Sequence, residues 1–293
     1  MADVFQIVTD RILNLLQLGE IPWHRPWCTV NGGAFNRISG RQYSLLNQMM
    51  LTHSGEYATF GQWTKLGGRI RKGEKSEIVV FWKWPEEETN KDPAEEDQDQ
   101  NRKGPVLRFY RVFHISQVDG VAPLEPQIKI YNHDPIEQAE RLVHGYIMRE
   151  RIRLEDESSN SAYYSPAQDV IHIPSLWQYE YPEEYYSTAL HEIVHSTGHA
   201  KRLNRPGLQT VAFGSETYSK EELVAEIGCA CLMNHLGIET DHSIRNSAGY
   251  VQGWLKALQD DKRMIVFAAG QAEKAAKYIF EEKNIVGAER MII

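Results

Sequence analysis

The stretch "LHEIVHSTGH", residues 190–199, constrains the chain more than any other. His191 and His195 are four positions apart. On an α-helix that spacing stacks both side chains on one face, so two imidazole nitrogens can converge on one ion. Glu192 follows the first histidine and can reach a water held by that ion. This is the H-E-x-x-H arrangement of two Zn2+ ligands and one carboxylate base. Zinc lowers the pKa of a bound water from about 16 to about 7, and the glutamate accepts the proton as the water attacks a carbonyl. Ala189, Leu190, Ile193 and Val194 make the rest of the helix apolar. Histidines and a glutamate on a buried helix need partners, and a metal supplies them.

A catalytic zinc has three protein ligands and one open position. His199 lies four residues after His195, but Gly198, a common helix stop, intervenes. In the pattern H-E-x-x-H-x-x-G-x-x-H the third ligand comes three residues after the glycine. Here a histidine follows it at once. His199 is therefore expected beside the ligands rather than as one of them. Residues 218–238, "YSKEELVAEIGCACLMNHLGI", read as a second helix with Ser219 as N-cap and Glu221 and Glu222 in its first turn. Glu222 and Glu226 project the same way from a neighbourhood too apolar for solvated charges. Glu222 is the expected third ligand and Glu226 the acceptor that orients a ligand histidine. The reverse order stays open at this point.

The net charge of −8 is unevenly spread. Residues 86–99 hold eight acids and one lysine, so a solvated acidic loop is expected over about 86–104. Between Arg11 and Lys83 there are ten Lys or Arg against four Glu, and five of the seven tryptophans precede residue 85. Basic residues interleaved with aromatics suit a single strand of nucleic acid, because cations track phosphates and rings stack on exposed bases. The candidate contacts are Trp23, Arg25, Arg37, Arg41, Tyr43, Trp63, Lys65, Arg69, Arg71, Lys72, Lys75, Trp82 and Lys83. The plainer reading makes the tryptophans the core of a small domain and the lysines its solvated surface.

"SEIVVFWKW" and "VLRFYRVFHIS" read as two paired strands joined by the acidic loop. "DPIEQAERLVHGYIMRER" reads as a helix started by proline. "SAYYSPAQDVIHIPS" reads as two short strands around a turn, the second placed to pair with an extended substrate. Two C-terminal helical segments follow, around "AGYVQGWLKALQDD" and "AAGQAEKAAKYIFEEKN", with periodicity that suits packing. The expected class is α+β, with domains at 1–125 and 126–293. No apolar run approaches the roughly 20 residues of a membrane span. The amphipathic N-terminal stretch does not read as a signal peptide. Three cysteines, with Cys229 and Cys231 two apart on a helix, fit neither a disulfide framework nor a zinc knuckle. A reducing cytoplasm is the expected home.

"IPWHRPW", "YSLLN" and "TFGQWTKLGGRIRKGEKSEIVVFWKW" at the front, with "YYSPAQDVIHIP", "HEIVHSTGHAKRLNR" and "YSKEELVAEIGCACL" at the back, resemble the ArdC-type antirestriction proteins of conjugative plasmids. The resemblance covers nearly the whole chain. It implies a small N-terminal α+β domain that binds single-stranded DNA, and a mainly helical zincin-like metallopeptidase domain with a short sheet. It also implies a role in shielding incoming plasmid DNA from host restriction. The back half is similar as well to ImmA/IrrE-type metallopeptidases, whose third ligand is a glutamate on a later helix. That implies a gluzincin-like site with Glu222 as ligand, although Glu226 replaces the neutral or shorter side chain of that group. Two functions follow. One is a DNA-binding protector carrying a zinc site, acting on the strand or on the restriction enzyme. The other is a zinc peptidase that cleaves a host or regulatory protein and is only placed on DNA by its front domain.

Overall fold

The structure, a computed structural model, describes residues 3–18, 20–24, 33–83, 105–124, 135–157, 161–179, 181–206, 216–238 and 251–281. The acidic segment, Arg25, Trp27 and Trp84 lie outside them.

Helix α1 (Val4–Gln17) begins at Asp3, whose carboxylate accepts the Phe5 and Gln6 N–H groups. It turns Val8, Ile12, Leu15 and Leu16 inward. A short 3-10 turn (Pro22–His24) is followed by β1 (Ala34–Asn36), α2 (Leu45–Met50), β2 (Gly55–Ala58), α3 (Phe60–Lys65) and β3 (Arg69–Ile70). Strands β4 (Glu77–Lys83) and β5 (Val106–His114) pair antiparallel, as expected, with Val79 opposite Tyr110 and Trp82 opposite Leu107. They complete a mixed sheet of order β1-β2-β5-β4. β3 pairs with β6 (Val118–Asp119) in a separate ribbon.

The second half runs α4 (Pro135–Glu150), β7 (Arg153–Glu157), β8 (Tyr163–Ser165), β9 (Val170–Pro174), α5 (Pro182–Thr197), α6 (Glu216–Leu236), α7 (Val251–Asp260) and α8 (Met264–Phe280). The class is therefore α+β, with a mixed sheet at the front and helices with a short sheet at the back. One expectation fails here. The short sheet has the order β7-β9-β8, so β9 is paired on both sides and has no edge to offer a substrate. The outer strands of this sheet are β7 and β8.

A single hydrophobic core reaches across both halves. It contains Ile12, Met49, Val80 and Leu107 from the front, and Leu190, Ala225, Trp254 and Ala269 from the back. Trp23 is fully buried in it, edge-on to Trp254 with 5.2 Å between ring centroids. A satellite cluster holds Trp63, also fully buried, whose indole N–H donates to the Phe113 carbonyl at 2.9 Å. Both tryptophans are candidate base platforms by sequence, and both have their faces covered by protein instead.

Candidate metal centre

Helix α5 carries the histidines and α6 the carboxylates. Their approach is set by Gly228, where a Cβ would lie 2.9 Å from Val194 Cγ1. Val194 is fully buried and has no room to give. The close crossing brings α6 acids over the α5 histidines.

His191 Nε2 and His195 Nε2 lie 3.2 Å apart. Glu222 spans them, at 3.5 Å from His191 and 3.4 Å from His195. The donor atoms of these three residues all fall within 4.8 Å of one another, the spacing of a metal-binding group. The outward ring nitrogens are also occupied. His191 Nδ1 faces Glu226 at 3.6 Å, and His195 Nδ1 faces Glu221 at 3.4 Å. Glu222 thus points at the converging nitrogens and Glu226 at the back of a histidine, which favours the first of the two orders considered.

The expected role of Glu221 as a helix-start charge needs correction. α6 begins at Glu216, so Ser219 is inside the helix rather than at its cap. Glu221 is buried and paired with Arg205, whose Nε donates to it at 3.1 and 3.2 Å. Arg205 is also buried, and its Nη2 donates to the Val194 carbonyl at 2.8 Å near the end of α5. Gly198 serves this arginine. Its φ is an ordinary −75°, but a Cβ there would meet the guanidinium at 2.9 Å. Sequence reasoning misses this pair, since a loop arginine sixteen positions from its partner has no periodic signature. His199 sits apart from the converging atoms. Its Nδ1 accepts the Lys201 N–H at 3.2 Å and holds the turn after α5. Arg202 ties that turn to the β8–β9 hairpin through Asp169 and through Tyr164 Oη at 2.9 Å.

The electrostatics suit a cation. Burial disfavours the charged form of His195, but the carboxylates of Glu221 and Glu222 outweigh it and push the imidazole up to about 10. Burial likewise opposes the charge on His191, and Glu222 with the neighbouring acids raises it. Burial would lift the Glu222 carboxyl, yet hydrogen bonds from His191 and His195 hold it well below the usual carboxylate range. Glu192 is buried beside the pair and adds to the negative potential on both rings. A divalent ion such as Zn2+ would take the place of the protons these acids favour on the converging nitrogens, so two imidazoles and a carboxylate, each outward histidine nitrogen facing a further acid, form a donor set that fits it. A second link comes from the front half, where His24 Nε2 lies 3.6 Å from Glu226.

On the front surface the other candidates sort by exposure. Lys65, Arg69, Lys72 and Lys75 are exposed around β3 and the turn that follows, and Arg41 and Lys83 are exposed elsewhere. Arg71 is partly committed, bonding Glu74 at 3.0 Å and the Ser116 carbonyl. Arg37 is paired with buried Glu56 and is structural rather than free for phosphate. Tyr43 is half-buried against Tyr57, whereas Trp82 is 46% exposed. Cys229 and Cys231 are buried, and the Cys229 thiol donates to the Ser187 carbonyl at 3.2 Å. No helix among the described residues is long and apolar enough to cross a membrane.

Residues 2–113 match the family described as the N-terminal domain of anti-restriction factor ArdC. Residues 137–271 match the zincin-like metallopeptidase family. Two crystal structures of the antirestriction ArdC protein from plasmid R388 are similar over 95% of this chain and 97% of theirs. The Mn(II)-bound form has 32% identity and a TM-score of 0.72, the metal-free form 31% and 0.68. DNA primase TraC of Escherichia coli is 34% identical over 300 residues, which is 95% of this chain but only 27% of TraC. The uncharacterized protein y4eC of Sinorhizobium fredii (strain NBRC 101917 / NGR234) is 30% identical over 299 residues, covering 96% of this chain and 93% of y4eC. The chain belongs to the ArdC antirestriction family, with an ArdC-type N-terminal domain followed by a zincin-like metallopeptidase domain.

Proposed function

We propose that this chain binds single-stranded DNA with little sequence preference and shields incoming conjugative plasmid DNA from host restriction, while carrying a zinc peptidase site. The observation that carries the catalytic part is the convergence of His191, His195 and Glu222 with Glu192 beside them. When bound there, a divalent ion would acidify water and polarise a carbonyl. The chain's own part is to orient the two imidazoles toward the ion, His191 by Glu226 and His195 by Glu221. Glu192 would take a proton at its carboxylate and return it to a leaving amine. The exposed Lys65, Arg69, Lys72 and Lys75, with Trp82 half in solvent, support the DNA part of the reading.

The test is transfer of an unmodified plasmid into a restricting recipient, comparing wild type with Glu192→Ala. Retained protection would place the biology in DNA binding. Lost protection, with single-strand binding and metal content intact, would favour the second reading, a peptidase acting on a host or regulatory protein.

A further inference from the structure

We propose that a single-stranded nucleic acid runs in the groove between the outer edge of β4 and helix α8, so that the second half supplies one wall of the binding path. This rests on the reading that the chain binds single-stranded DNA, and adds where the strand lies and which residues it meets.

The groove has a volume of about 960 Å3 and is lined by α2, the β4–β5 pair and α8, with Phe5 of α1 at one end. Its rings are exposed on both walls. On the strand side Phe81 and Tyr110 stack in parallel, with centroids 4.6 Å apart and planes 5° apart. Tyr110 is 56% exposed, and Trp82 stands at the same edge. On the helix side Phe267 is 50% exposed. Parallel, half-exposed rings are what unpaired bases stack on.

The charge on the helix wall fits a polyanion. Phe267, Gly270, Lys274 and Lys277 fall at steps of three and four along α8 and all line the groove. The opposite face, with Ile265, Ala268, Ala272 and Ala276, is buried in the core. Arg263 extends the basic stripe at the start of the helix. The acid in the groove, Glu273, is already engaged: it accepts the Leu45 N–H at 2.9 Å and Lys277 Nζ at 2.6 Å. Lys274 has no acidic partner among the described residues.

A peptide adding as a further strand is the main competitor for such a place. The edge of β4 is closed to it at the centre. The buried Asn47 side chain accepts the Val80 N–H at 2.7 Å and donates to the Val80 carbonyl at 2.9 Å, which occupies the outward backbone groups there. Rings and cations remain available, whereas the backbone ladder does not.

The test uses the full chain and a fluorescein-labelled oligo-dT, read by anisotropy at several salt concentrations. Phe267→Ala should weaken binding about fivefold or more, the low end of removing one stacking platform. Lys274→Glu should weaken it and flatten the salt dependence, by about 0.7 log units of affinity per log unit of salt for each phosphate no longer neutralised. Both side chains are exposed, so unchanged melting temperatures should accompany the weaker binding. Photo-crosslinking of a 5-iodouracil-substituted strand to wild type should give adducts at Tyr110, Trp82 or Phe267. If wild type binds the strand but both variants match it, or adducts map only to residues 65–75, the groove proposal fails while DNA binding stands. If wild type binds no single strand at all, both fail. If the variants change capture of a peptide but not of DNA, the groove belongs to a peptide and the proposal is overturned.

Discussion

Replacing Glu221 with Met separates two roles that one side chain performs. The carboxylate accepts from Arg205 and faces His195 Nδ1, and both it and Arg205 are buried. Removing it leaves a buried guanidinium without its counter-ion, and breaking such a pair costs about 3–5 kcal/mol. For a chain of this size each kcal/mol moves the melting temperature by about 2–4 °C, so a drop of roughly 6–20 °C is expected. Losing the acceptor behind a ligand histidine should independently weaken metal binding by about 10–100-fold. The double variant Glu221→Met, Arg205→Met divides these effects. Replacing both members of a buried pair by apolar side chains is often near neutral. Most of the melting temperature should therefore return, while metal affinity stays low because His195 Nδ1 still lacks its acceptor. Thermal melts of metal-free protein and calorimetric Zn2+ titrations of the two variants read both quantities. Recovery of wild-type affinity in the double variant would refute the claim that Glu221 orients His195.

Gly228→Ala should push α6 off Val194, costing about 1–3 kcal/mol of overpacking against up to ~1 kcal/mol regained in helix propensity, and should weaken metal binding with it. A variant as stable and as tight as wild type would show that the crossing has slack. The Asp169 carboxyl would be raised by burial, but Arg202 and Tyr164 outweigh this and hold it below its ordinary 3.8. Its contribution is therefore present above about pH 4 and lost as pH falls through the lowered folded value. Denaturant titrations should show the stability gap between wild type and Asp169→Asn closing in that acid range, and a constant gap would contradict the assignment. Residues 1–125 expressed alone should expose Met49, Leu107 and Trp23, bind a hydrophobic dye and melt without a sharp transition, because their core is completed by α7 and α8. A cooperative melt near that of the full chain would show the front half to be self-sufficient.

What can be read from the sequence is what is local. The two histidines are one helical turn apart, and so are Glu222 and Glu226, so spacing alone puts each pair on a face. The strand pair β4–β5 is legible from its alternation. Relations fixed by the crossing of two helices are not. Glu221 looks like a first-turn charge until α6 is laid against α5 at Gly228, and only then do Arg205 and His195 become its partners. The tryptophans show a different limit. Composition counts rings but not which faces are covered, and Trp23 and Trp63 are interior while Trp82 is half exposed. The α8 segment reads as packing alone, and its buried alanine face bears that out, but the periodicity that fills the core also aligns Phe267, Lys274 and Lys277 outward.

A calorimetric Zn2+ titration of the metal-stripped protein separates the roles of the side chains that make up the metal group. Wild type should bind one ion, His191→Ala, His195→Ala and Glu222→Ala should lose it, Glu226→Ala should bind about 10–100-fold more weakly, and Glu192→Ala should bind like wild type. A Glu222→Ala protein with wild-type affinity, or a Glu192→Ala protein that binds no metal, would contradict the account.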